Sequence, residues 1–208
     1  MKARMMSLVA VLTAMLIGCA GTTATLAGKA DPTLNLKMSM RKLWEEHIMY
    51  TRNYIISSLA GLEDVDKVEE RLLRNPDDIG WAIKPYYGDA AGDTLASLLR
   101  NHIYWAAQVV TAAKAGDKTS LTRANSSWAF NRHEIAKFLS RANPNLSQED
   151  LDSMLQNHLN LTTAEVVARL NKDWRADIRA YDEGHTNMLM FADALTAGIA
   201  KQFPGKFK

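Results

Sequence analysis

The chain has 208 residues, 47% hydrophobic and 23% charged, with a formal net charge of +2. That is one domain's length, with ample apolar content for a buried core. So small a charge, dispersed among acids with no Lys/Arg run, excludes a nucleic-acid interface, and a single cysteine, Cys19, excludes an intrachain disulfide.

The first stretch reads as an export address. Met1-Lys2-Ala3-Arg4 is a short positive segment, and Met5 to Ile17 is an apolar run of signal-peptide length, too short to cross a bilayer comfortably. Leu16-Ile17-Gly18-Cys19 then resembles the lipobox of bacterial lipoproteins, which implies cleavage before Cys19 and acylation of that residue. The competing reading is an ordinary cleaved signal, cut after Ala30. With the lipobox, 1–18 is a signal peptide, 19–36 a flexible tether, and 37–208 the domain, held to a membrane by lipid. Ala20 after the cysteine resembles outer-membrane sorting if the host is Gram-negative. The expected location is therefore the cell envelope.

From there the chain reads as helix after helix. Low glycine and proline with abundant Ala and Leu favour an all-α fold. Apolar residues at 3–4 spacing predict helices over about 38–60, 65–84, 93–115, 119–142, 148–170 and 174–201. Gly61 and Ala115-Gly116-Asp117 are fair stops, and Ser147-Gln148-Glu149-Asp150 is a clear start, a Ser cap followed by acids. Asn75-Pro76-Asp77-Asp78 also fits a cap, with proline at the first helical position, so the second helix either kinks or restarts there. Short loops make sequential helices antiparallel, which gives a six-helix bundle of three helical hairpins.

The hairpins echo one another. An offset of 56 pairs Asn75, Ile79, Leu95, Ser97, Leu99, Asn101, His102, Val110, Ala112 and Asp117 with identical residues in 131–173. Those ten identities exceed the roughly three that chance would give, which implies a repeated unit. A weaker echo places Leu43, His47, Ile48, Ala60 and Gly61 against Leu98, His102, Ile103, Ala115 and Gly116.

The repeat gives the candidate site. His47, His102 and His158 fall on apolar faces of odd-numbered helices, and Asn75, Asn131 and Asn187 on apolar faces of even ones. Buried polar groups cost about 1–3 kcal/mol each when unbonded, so these six are expected to form a polar layer. The structural reading is His–Asn bonds that fix helix register. The alternative is a transition-metal site of His47, His102 and His158 with a carboxylate from Asp78, Glu134 or Asp182. A ferritin-like di-metal bundle wants Glu-x-x-His twice; here only Asp182-Glu183-Gly184-His185 approximates it. Met38-x-Met40 and Met188-x-Met190 suit copper(I), although methionine on apolar faces is more often core filler. No nucleophile elbow, phosphate loop, dinucleotide fingerprint or His-Glu-x-x-His is present.

Leu43-Trp44-Glu45-Glu46-His47, Arg71-Leu72-Leu73-Arg74-Asn75 with Asp78-Ile79-Gly80, Lys84-Pro85-Tyr86-Tyr87-Gly88, His158-Leu159 before Thr162, and Gln202-Phe203-Pro204 resemble a family of small bacterial helical proteins of unestablished function. The resemblance spans about 41–207 and implies a helical domain without assigning chemistry. Arg132-His133-Glu134-Ile135-Ala136 departs from the family's Ala-Asp-Glu-Ile-Ala. The combined expectation is a lipid-anchored, non-enzymatic envelope bundle with a structural role or a protein or small-molecule partner.

Overall fold

The computed structural model describes residues 31–208; the expected signal segment, Cys19 and residues 20–30 of the expected tether lie outside that range. Six helices follow one another: α1 (Pro32–Ala60), α2 (Val65–Tyr87), α3 (Asp89–Ala115), α4 (Lys118–Ala142), α5 (Gln148–Leu170) and α6 (Trp174–Gln202), with a short 3-10 turn at Pro204–Phe207. Among the described residues there is no strand, and no helix is long and apolar enough to cross a membrane.

Local chemistry sets the ends. Asp31 accepts a hydrogen bond from the Thr33 backbone N–H at 2.9 Å, and Pro32 occupies the first turn, where its missing N–H costs nothing. Helix α1 therefore begins ahead of the expected Met38 and takes up 32–36 of the tether, because Leu36 is buried against the core with Met40. Ser147 caps α5 as its sequence predicts, its hydroxyl accepting from the Asp150 N–H at 3.2 Å. The expected break at Asn75-Pro76 is absent: α2 runs through it, and Asn75 is a buried mid-helix residue whose side chain is committed to α1. Tertiary bonding overrides the local capping signal there.

The turn closing each hairpin has one form. The N–H groups of Leu62, Asp117 and Asp173 bond to the carbonyls of Ser57, Ala112 and Ala168, five residues back. This ending requires a left-handed residue before the donor. Gly61 and Gly116 supply it at φ 68°, but the third hairpin uses Lys172 at φ 57°.

Each helix packs on its neighbours in sequence, and α1 closes the ring by packing on α6, where Arg41 Nε donates to Asp193 Oδ1 at 2.7 Å. Within the ring α1, α3 and α5 also touch one another. These odd helices run parallel and form an inner triangle, and the even helices cover its grooves. Trp44, Trp128, Phe191, Ile79 and Ile135 are among the fully buried side chains. Helices α2 and α3 approach so closely that a Cβ on Gly80 would stand 2.5 Å from the Gly92 carbonyl oxygen.

Candidate functional site

Parallel inner helices with a histidine at a like place in each bring those histidines to one level. The ring centroids of His47 and His102 are 6.4 Å apart, and each lies 5.7 Å from that of His158. All three are buried. Only the His102 and His158 rings stack, 24° from parallel; the His47 ring is tilted to both, by 43° and 56°.

The asparagines fix their orientation. Asn75 Nδ2 donates to the Leu43 carbonyl at 2.8 Å, Asn131 Nδ2 to that of Leu98 at 3.0 Å, and Asn187 Nδ2 to that of Met154 at 2.9 Å. Each carbonyl lies one helical turn before a histidine. With its amide nitrogen so occupied, Asn75 presents Oδ1 to His47 Nδ1 at 3.2 Å, and Asn131 presents Oδ1 to His102 Nδ1 at 2.9 Å. An amide oxygen only accepts, so both imidazoles carry their proton on Nδ1 and leave Nε2 as a bare lone pair. His102 Nε2 accepts from the Trp128 indole N–H at 3.2 Å.

The third hairpin departs from this pattern. The Oδ1 of Asn187 accepts from Asn157 Nδ2 at 3.1 Å, near the surface, so Asn187 does not join the buried layer. His158 Nδ1 instead faces Thr162 Oγ1 at 3.5 Å. The expected ring of three His–Asn pairs is thus two pairs and one histidine bonded along its own helix.

Burial decides the charge. Removing imidazolium from water is unfavourable, so the pKa of His47 falls to about 4 and that of His102 to about 3, with the neighbouring His47 lowering His102 further. Burial and both neighbouring imidazoles hold His158 well below its ordinary value. The layer is three neutral rings. Beside it lies a cavity of about 20 Å³ lined by His47, His102, His158, Trp128, Thr51 and Thr162 together with apolar side chains. That is room for about one water-sized occupant.

The carboxylates do not join them. Asp78 is exposed on α2, and Glu134 accepts from Lys137 Nζ at 3.1 Å on the outside of α4. Both carboxylates stand off the histidine layer. Asp182 is exposed, and His185 faces Glu45 at 3.2 Å on the surface, so the Asp-x-x-His segment assembles nothing. The methionine pairs are split by their i,i+2 spacing: Met40 and Met188 are core, while Met38 and Met190 are exposed. Among the described residues no three His, Cys, Asp or Glu side chains stand at coordinating distance of a common point.

One feature escaped sequence reading. Asp177, 2% exposed, accepts from Arg52 at 3.0 and 3.1 Å and from Arg169 at 2.7 Å, and Arg52 also donates to Glu165 at 2.7 Å. The Arg52 guanidinium lies 4.6 Å from the Tyr181 ring centroid. Burial pushes the Glu165 carboxyl up to about 7 despite Arg52 beside it. An acid at 165 continues the inward 158, 162 stripe of α5, which was the available signal. Its partners come from α1 and α6, and no spacing reveals them.

The fold and this layer define a class: an all-α, closed six-helix bundle with a sealed histidine centre. No family model, curated protein or solved structure matches the chain.

Proposed function

We propose that this chain is a lipid-anchored protein of the cell envelope, tethered through Cys19, whose helical bundle acts without catalysis as a scaffold or binding module. The observation that carries the reading is the sealed centre. His47, His102, His158, Asn75 and Asn131 are bonded within the bundle and lie inside the ring instead of opening on a cleft. A substrate in bulk water has no contact with them, and their bonds hold helix register. The outer surface, carried on the tether, then meets any macromolecular partner.

The anchor is tested by labelling cells with palmitate while they express the chain or its Cys19→Ala variant. The expected result is label and membrane fractionation for the parent and neither for the variant. Equal labelling of both would overturn the anchor. A second reading, that the bundle holds a metal ion, is favoured by the mutual approach of the three imidazoles.

A further inference from the structure

We propose that His47, His102 and His158 form a three-imidazole site for one closed-shell metal ion, zinc or copper(I), taken into the central cavity through their Nε2 atoms. This gives the sealed histidine layer a ligand and is independent of the lipid anchor.

Size comes first. A cavity of about 20 Å³ admits a water or an ion and excludes any organic molecule. Its polar lining is rich in lone pairs. His47 and His158 make their hydrogen bonds through Nδ1, and the Nε2 of His102 accepts from the Trp128 N–H.

Spacing comes second. An ion about 2.0–2.1 Å from each Nε2 lies about 3.2 Å from each ring centroid, which places three such rings about 5.2–5.6 Å apart. The observed separations are 5.7, 5.7 and 6.4 Å. The rings stand wide of coordination, and contraction of less than about 1 Å, mostly of the His47–His102 pair, closes the gap.

The outer shell is the third argument. A ligating histidine needs its other ring nitrogen donating to a fixed acceptor, which sets the tautomer and aims the lone pair. Asn75 and Asn131 do this for His47 and His102, and each amide is itself pinned to a backbone carbonyl. A register device alone requires one such bond, whereas here imidazoles from three helices line one hollow.

The chemistry selects the ion. Three neutral nitrogens and no nearby free carboxylate leave the ion's charge uncompensated in an apolar interior, which disfavours hard cations. Copper(I) brings a single charge. Zinc is accommodated when its fourth ligand is hydroxide, since zinc-bound water ionises near neutral pH. Trp128 competes with the ion, because its N–H occupies the His102 lone pair.

The test uses the full chain in detergent, stripped with EDTA, then unfolded and refolded with zinc, or anaerobically with copper(I), and desalted. The expected result is about one equivalent of one of the two ions, a raised melting temperature, and an X-ray absorption spectrum with three imidazole nitrogens at about 2.0 Å. His102→Ala should abolish retention, while His133→Ala and His185→Ala, both outside the layer, should keep it. Trp128→Phe should tighten binding roughly two- to tenfold by freeing the His102 lone pair. Substoichiometric retention of both ions by the parent overturns the proposal, as does retention by His102→Ala. If His102→Ala does not fold, the parent's spectrum decides, and fewer than three imidazoles overturns it. Loss of palmitate labelling leaves these outcomes untouched.

Discussion

Three neutral imidazoles sealed in a core make stability fall steeply in mild acid. The folded pKa of about 4 for His47 and about 3 for His102, with His158 also well below its ordinary 6.5, lies beneath the value each has when unfolded. The unfolded chain therefore binds more protons below pH 6.5. The histidine contribution is complete above that pH and is lost as pH falls toward the folded values. Between pH 7.5 and 5.0 His47 and His102 each remove about 2 kcal/mol, and His158 adds to the loss in the same direction. Glu165 acts with the opposite sign: its folded pKa of about 7 exceeds its ordinary 4.5, so protonation favours the fold as pH drops. Over the same interval it returns about 2 kcal/mol, leaving a net loss of about 2 kcal/mol from the first two histidines, to which His158 adds. Against a usual total of about 5–15 kcal/mol this is a large fraction. Urea unfolding in EDTA at pH 7.5, 6.5 and 5.0, followed by circular dichroism, should show the midpoint falling continuously, and His102→Asn should remove about 2 kcal/mol of the pH-dependent loss. A midpoint that is flat or rises toward pH 5.0 would refute the neutral, buried layer.

Other outcomes follow from single contacts. Asn131→Ala strands the His102 Nδ1–H inside the bundle and removes the second bond to the Leu98 carbonyl, and should cost about 2–4 kcal/mol by urea unfolding. Asn187→Ala, at the partly exposed counterpart that does not reach its histidine, should cost about 1 kcal/mol in the same assay. Lys172→Gly should raise stability by about 1 kcal/mol, because Lys172 holds the left-handed position that glycine fills in the first two hairpins; a lower melting temperature would contradict this. Gly80→Ala should destabilise by about 2 kcal/mol or more, since the new methyl meets the Gly92 carbonyl of α3 at 2.5 Å.

Much of this architecture was legible before any coordinates. The 3–4 spacing of apolar residues marked six helices, and Ser147 announced the start of α5 because a hydroxyl capping an N–H is a contact within a few residues. The like placement of His47, His102 and His158 was visible as pattern, and their meeting follows once odd helices run parallel. Asn75 was ambiguous for a physical reason. Asn-Pro-Asp-Asp suits a helix start, and only the Leu43 carbonyl and His47 of α1 make Asn75 a buried mid-helix tie between helices instead.

The sequence by itself determined which residues could be helical, which face of each helix was apolar, and which polar residues would be forced to find partners there, because those are properties of spacing along one chain. Only the tertiary structure decided that the helices close into a ring, that Asp78 and Glu134 stay outside while three imidazoles share a hollow, that Asn187 turns to Asn157, and that Arg52 gathers Glu165 and Asp177. Each of these is a choice between partners on different helices, and such a choice is made by distance in space, which spacing along the chain does not encode.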